Sequence, residues 1–278
     1  MNEGAVSLPS TSSAPRSRGL ATAAPARWGN AAFLVSLVVL LAGWQLSSLF
    51  LNKILISNPA DIATGFVAIV ADGSLPSAFG QSALEKGIGF AIAAVAGIGF
   101  GILMGRTHRV EMMFDPLVNF ANATPTIALL PLMEIWFGLG MAARLSFIII
   151  ISIWTMLINT LTGIKNVNRG YGDVGKAFGL GGWQATWQIY IPAAMPYILA
   201  GARIALAQAA VGMILSGQEV GQSGLGGLTE DFGTYYETNN LIAAIVASTA
   251  LAMIAFGLLK LYQMKFYPWI AATAAARR

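Results

Sequence analysis

Residues 165–196 read KNVNRGYGDVGKAFGLGGWQATWQIYIPAAMP, one long polar interruption between strongly apolar stretches of chain. A water-facing loop of this length in such surroundings needs a purpose. Val174, Ala177, Phe178 and Gly181 fall at helical spacing on one face. Trp183, Trp187 and Tyr190 repeat the pattern after a glycine-rich break at Gly179, Gly181 and Gly182. Pro192 and Pro196 then bracket the start of the next apolar run, where a missing N–H costs little. The segment reads as two short amphipathic helices outside the bilayer, presenting an apolar face to a docking partner.

The rest of the chain supports that setting. Hydrophobic residues make up 56% of it and charged residues 10%, against about a quarter charged in a soluble domain. Six apolar runs, at 31–51, 88–105, 117–137, 145–161, 197–216 and 241–262, each approach the roughly 20 residues that cross about 30 Å of hydrocarbon. The expected fold is an all-α membrane protein with six transmembrane helices. With the N-terminus inside, the inner side collects Arg16, Arg18, Arg27, Arg106, Arg109, Lys165, Arg169, Lys176, Lys260, Lys265, Arg277 and Arg278. The outer side has Lys53, Lys86 and Arg144, and Arg203 falls within a span. Twelve against three is a positive-inside bias that places both termini in the cytoplasm. The pI near 9.5 is therefore topology and not a nucleic-acid footprint. With no cysteine in the chain, disulfides, thiol catalysis and zinc–thiolate sites are excluded.

Residues 1–30, rich in Ser, Pro and Ala, read as a disordered cytoplasmic tail. A cleaved signal peptide is disfavoured, because the apolar run that follows is too long and lacks a small-x-small cleavage site. Residues 52–86 form an outer loop with a short amphipathic helix over 62–70 on the membrane interface, and 271–278 form an Ala-rich cytoplasmic tail.

Within the spans, Gly89, Ala93, Gly97, Gly101 and Gly105 recur every four residues. Such a stripe lets helix backbones approach closely, within the chain or at a subunit interface. The third span carries Pro116, Pro125 and Pro131, with Asn119, Asn122 and Thr126 on one face. The fourth carries Ser152, Thr155, Asn159 and Thr162, and the fifth Gln208, Gly212 and Ser216. Each stripe alone could be interhelical hydrogen-bonding glue. Three together predict a hydrated path lined by Asn119, Asn122, Thr126, Thr155, Asn159, Gln208 and Ser216, since interior prolines free carbonyls that need protein or water partners. Glu134, the one acid inside an expected span, lies close enough to the outer end to reach headgroups or Arg144.

Two enzyme-like patterns fail. Gly221-Gln-Ser223-Gly224 resembles an intramembrane serine protease motif, but the base would have to be a later histidine, and His108 precedes it. Gly224-Leu-Gly226 follows no strand, and the chain has no Gly-x4-Gly-Lys-Ser/Thr, so no catalytic, cofactor or metal site is expected.

Asp173-Val-Gly-Lys-Ala-Phe-Gly179, with Trp183-Gln184 and the run from Ile191-Pro-Ala-Ala-Met-Pro to Arg203, resembles the coupling loop of ABC-importer permeases. Asn58-Pro59, Pro131-Leu132 leading to Trp136-Phe137-Gly138, and Ser223-Gly-Leu-Gly226 are similar to the nitrate/sulfonate/taurine branch. The resemblance spans residues 31–270. It implies a type I, MetI-like permease fold in a bacterial inner membrane and a homodimer. It also implies a separate cytoplasmic ATPase holding the ATP and Mg, and an extracytoplasmic binding protein. The cargo would be a small anion such as nitrate, a sulfonate, taurine or bicarbonate. Asp173, Val174, Gly175, Ala177, Phe178 and Gly179 would engage the ATPase, moving as a lever when it closes on ATP. Asp173, Val174 and Gly175 stand where the family has Glu, Ala and Ala. Gly175 lowers helix propensity by about 1 kcal/mol, which predicts a shorter or more mobile docking helix. A stand-alone secondary transporter or channel would explain the hydropathy equally well, but not the coupling-loop pattern.

The charge asymmetry makes a direct prediction. Cysteines at Gly73 and Thr234 should react with an impermeant thiol reagent applied outside the cell, and one at Gln184 should not. External labelling at Gln184 would reverse the orientation.

Overall fold

A computed structural model of the chain describes residues 27–47 and 57–269, and every regular element among them is helical. In order these are α1 (Arg27–Ser47), α2 (Pro59–Ala71), α3 (Ser74–Arg106), α4 (His108–Ala123), α5 (Leu130–Phe137), α6 (Met141–Lys165), α7 (Arg169–Ala177), α8 (Gly182–Ala185), α9 (Ile191–Glu219), α10 (Gly224–Thr234) and α11 (Thr238–Phe266). Among the described residues four stretches are long and apolar enough to cross a bilayer: α3, α6, the continuous run Gly182–Glu219, and α11.

The centre of the bundle is α6, gripped on one side by α3 and on another by α9. The small-residue stripe of α3 makes the first contact. A Cβ added at Gly89 would lie 2.6 Å from Ile148 Cγ2, one at Gly97 2.6 Å from Met156 Cβ, and one at Gly101 2.7 Å from Thr160 Cβ. At Gly105 the obstacle is Ile164 Cγ2, also at 2.7 Å, and Ala93 is fully buried. The stripe is thus an intrachain contact along most of both helices. On the other side, Gly201 of α9 backs onto Asn159 and Gly212 onto Ile151, with Gly163 of α6 against Tyr197. In lipid, where apolar helices gain little by leaving solvent, such backbone proximity supplies the dispersion contacts that hold helices together.

The ends of the helices are tied by charge. At one end Arg144 of α6 donates to both carboxylate oxygens of Glu85 on α3, with Nη2–Oε1 at 2.7 Å, and to the Val220 carbonyl that follows α9 at 3.1 Å. Both side chains are enclosed. This corrects the expected partner of Arg144, which is Glu85 and not Glu134. It also explains why α3 begins at Ser74, well before the expected 88: a paired, buried Glu85 does not have to leave the helix for water. Lys86, counted with the outer-loop charges, is buried too. At the opposite end Lys165 of α6 pairs with Glu111 of α4. That ammonium holds the Glu111 carboxyl below the usual range, the hydrogen bond being the main cause.

Three sequence expectations need correction. The third span, 117–137, is not one helix. Pro125 has no N–H and forces the residue before it out of the helical region, so Thr124 turns extended at φ −70°, ψ 129°. A 3₁₀ turn, Thr126–Leu129, and the short α5 follow. The fifth span begins at Gly182 rather than 197, because no break occurs at Pro192. A π-helical turn, Thr186–Tyr190, precedes it, in which the Ile191 N–H reaches back to the Thr186 carbonyl, and the helix then runs through both prolines. The amphipathic helix expected over 62–70 is α2, capped by the Asn58 side chain on the Asp61 N–H at 2.7 Å. It does not merely lie on a surface, since Ile69 is buried in one cluster with Ala243 and Ala247 of α11. Residues 27–30 of the expected N-terminal tail are helical and open α1, while the rest of that tail, the C-terminal tail, part of the expected first span and Lys53 lie outside the described residues.

The α3–α6 contact is testable by adding bulk. Gly101→Val sets a new methyl-bearing carbon against Thr160 and the Leu157 carbonyl, and overpacking of this kind costs about 1–3 kcal/mol. Gly87→Val meets nothing within 4 Å. Thermal unfolding in detergent should show a lowered midpoint for the first variant and none for the second. Equal effects would mean that the stripe is not the contact that matters.

Candidate coupling site and polar seams

The polar interruption folds as α7, a tight turn, and the foot of the long Gly182–Glu219 helix. Helix α7 starts at Arg169, where the Asn168 side chain accepts from the Gly170 N–H at 2.8 Å. It ends at Ala177 in a Schellman motif. The Leu180 N–H reaches the Gly175 carbonyl at 3.0 Å and the Gly179 N–H reaches the Lys176 carbonyl at 2.9 Å. This geometry needs Gly179 in the left-handed region, at φ +73°. The docking helix expected from Asp173 is therefore shifted one turn towards the N-terminus, with Gly179 at its end as the sequence reading has it.

Two glycines decide which face α7 presents. Gly172 and Gly175 are buried against the π-helical turn: an added Cβ would lie 2.5 Å from the Tyr190 hydroxyl at the first and 2.7 Å from Ile189 Cδ1 at the second. Glycine at position 175 thus lets α7 sit close on the turn, where an added Cβ would have to displace the end of the Ile189 side chain. The adjoining face is bare. Phe178 is 82% exposed, and Tyr171 and Val174 are more than half exposed. Asp173 and Lys176 form an exposed pair at 3.3 Å, which adds little stability. Trp183 and Trp187, one turn apart on the next helix, stack edge to face at 5.9 Å and are also exposed.

Arg106, the last residue of α3, pins this foot to the bundle. Its Nε donates to Thr186 Oγ1 at 3.0 Å, Nη2 to the Gly182 carbonyl at 3.4 Å, and its guanidinium lies 3.8 Å from the centre of the Tyr190 ring. Sequence reading counted Arg106 only as an inner-side charge. Its place at the end of a small-residue helix stripe was the available signal.

The residues expected along a path fall into separate groups. Thr155 of α6 donates to Gln208 Oε1 of α9 at 2.6 Å, and Asn159 donates back to the Thr155 carbonyl at 2.8 Å. These three share the α6–α9 seam, half-buried. Asn119 and Asn122 are exposed on α4, Asn119 donating to Asp115 Oδ2 at 3.0 Å. Thr126 no longer continues their face, since the break at Pro125 intervenes. Ser216 is fully enclosed, with its hydroxyl 3.5 Å from the Met213 carbonyl.

A further cluster went unread. Around Arg144 and Glu85, the turn joining α9 to α10 packs with almost no side chains. A Cβ at Gly217 would fall 2.7 Å from the Ser223 carbonyl, and Ser82 of α3 accepts from the Leu225 N–H at 2.9 Å. The Gln81 side chain donates to Ser223 Oγ. Glycines at 217, 221, 224, 226 and 227 carried that signal. Among the described residues no group of metal-ligating side chains is assembled.

Comparison with known proteins agrees with this architecture. An inward-facing structure of the MetNI methionine ABC transporter has a chain that aligns at a TM-score of 0.56 and 14% identity, covering 67% of this chain and 95% of that one. At that identity it shows the fold alone. SsuC of Bacillus subtilis, an aliphatic sulfonates transport permease protein by name, is 26% identical over 87% of this chain and 89% of its own. The bicarbonate transport system permease protein CmpB of Synechococcus elongatus is 30% identical over 66% of this chain and 63% of its own. Residues 97–266, more than half of the chain and containing α7 and its seat, match the family described as binding-protein-dependent transport system inner membrane component, and the protein belongs to that family of ABC-importer permeases.

Proposed function

We propose that this chain is the membrane-spanning subunit of an ATP-driven importer that carries a small anion into the cytoplasm. It works as a homodimer with both termini cytoplasmic, alongside an extracytoplasmic binding protein. ATP and Mg belong to a separate ATPase subunit. The observation that carries this reading is the bare apolar surface of α7, Tyr171, Val174 and Phe178, on a helix whose adjoining face is seated on Ile189 and Tyr190. A seated helix with an unpartnered apolar face transmits force from whatever covers it. The anion class rests on relatives whose names specify aliphatic sulfonates and bicarbonate. A channel or ion-driven carrier would have no use for the α7 surface.

The coupling assignment covers Asp173, Val174, Gly175, Ala177, Phe178 and Gly179. Gly179→Leu meets no neighbour within 4 Å, so its effect comes from the backbone alone, where left-handed geometry costs a side chain about 1–2 kcal/mol. Phe178→Asp places a charge in an apolar contact, a penalty of about 3 kcal/mol or more, which is at least roughly 100-fold in affinity. Both variants should insert and dimerise normally yet lose co-purifying ATPase or substrate-stimulated hydrolysis. Normal uptake in both would sink the coupling role.

The path assignment is Asn119, Asn122 and Thr126 together with the Thr155, Asn159 and Gln208 seam, with Ser216 beyond it. Asn122→Leu and Gln208→Leu should slow uptake while leaving stability within about 1 kcal/mol, the scale of one interhelical hydrogen bond. Lowered stability with near-normal transport per folded molecule would instead mean that these groups only bind helices together.

A further inference from the structure

A cleft of about 500 Å³ opens between the inner end of α3 and the foot of the Gly182–Glu219 helix. Its composition changes along its length. Gly99, Ile102 and Leu103, on one face of α3, line it towards the bilayer, and Leu103 is 47% exposed. One turn further on, Arg106 and Thr186 line it, and Trp183 closes the outer edge. Gly99 leaves open space, since an added Cβ there would meet nothing within 4 Å. The floor is thus apolar for about one turn and then abruptly cationic, with an indole at the rim.

That profile matches one molecule available at the surface of a membrane. A phospholipid lays acyl carbon against the apolar turns and its phosphate at the level of the guanidinium, and tryptophan is enriched at this depth. Charge selects the headgroup. Among the described residues that line the cleft, Arg106 is the charged one and no carboxylate accompanies it. Arg109, exposed, lies one turn further along the chain. Two of the five N–H groups of Arg106 are held by Thr186 and Gly182, and its stacking on Tyr190 fixes the plane of the guanidinium. A fixed guanidinium binds a phosphate at a lower entropic cost than a mobile one. Basic pockets between spans on the cytoplasmic side suit anionic headgroups.

We infer that this cleft binds an anionic phospholipid of the cytoplasmic leaflet, its phosphate on Arg106 and an acyl chain along Gly99, Ile102 and Leu103. The site touches the foot on which α7 is seated, so occupancy stiffens the connection between α3 and the coupling segment. The inference depends on α3 spanning the membrane and stands apart from the ATPase assignment.

The test uses the full-length protein purified in a neutral detergent and stripped of lipid. Dioleoyl phosphatidylglycerol, dioleoyl phosphatidylcholine and sodium phosphate are added separately, and bound lipid is counted by native mass spectrometry beside thermal unfolding. Phosphatidylglycerol should be retained and should raise the midpoint by about 5 °C at saturation. Phosphatidylcholine keeps the phosphate but adds a trimethylammonium that the Arg106 and Arg109 charges repel, so it should bind about tenfold more weakly. Arg106→Gln should abolish the difference between the two lipids. Gly99→Leu, which fills the apolar floor without touching the guanidinium, should weaken both. The inference is overturned if phosphatidylcholine binds equally well, or if Arg106→Gln keeps the preference in a folded protein. It is likewise overturned if sodium phosphate alone reproduces the stabilisation, or if a cysteine at Gly99 cross-links to a second copy and excludes both lipids.

Discussion

The close approach of α3 to α6 is the constraint on which the remaining architecture depends. Four glycines and one alanine bring the two backbones together, to the point where a Cβ at Gly101 would stand 2.8 Å from the Leu157 carbonyl. Bilayer hydrocarbon is as apolar as leucine, so these helices gain nothing from hiding apolar surface from lipid. What holds them is the density of atoms at the seam. Because the seam runs from Gly89 to Gly105, it fixes both ends of the bundle. It brings Glu85 within reach of Arg144 at one end and sets Arg106 beside Thr186 at the other.

The two charged ends have different characters. Glu85, Arg144 and the Val220 carbonyl form a closed, buried set in which each charge satisfies the other, and removing either partner leaves an uncompensated ion. Arg106 is only partly enclosed, and its contacts are to a hydroxyl, a carbonyl and a ring. One end is a fastened joint. The other is a joint with unused hydrogen-bonding capacity, next to α7 and its seat.

How much of this could be read from sequence depended on the physical origin of each feature. The glycine stripe was legible because close packing demands small residues at fixed spacing and nothing else does. Gly179 was legible because a left-handed helix end has few alternatives. The Glu85–Arg144 pair was not, because hydropathy treats any charge as the edge of a span, whereas a charge with a buried partner need not reach water. The break at Pro125 and the continuity through Pro192 are opposite outcomes for the same residue type. Preceding Pro125, Thr124 turns extended; preceding Pro192, a π-helical turn absorbs the missing donor. That choice belongs to tertiary packing, since Tyr190 is held by Arg106. Of the polar stripes, only the Thr155–Asn159–Gln208 group survived as a spatial unit, because it lies on two unbroken helices.

The seating of α7 also limits how the loop can be exchanged between relatives. Position 175 is glycine, with the end of the Ile189 side chain in the space a Cβ would take; Gly172 stands in the same relation to the Tyr190 hydroxyl. Helix α7 and the turn beneath it therefore fit each other at these two points. A graft that moves 169–179 alone and brings side chains at 172 and 175 has to displace the ends of Tyr190 and Ile189 before it lies down on this foot. The stretch that moves as one piece is therefore the whole of it through Tyr190.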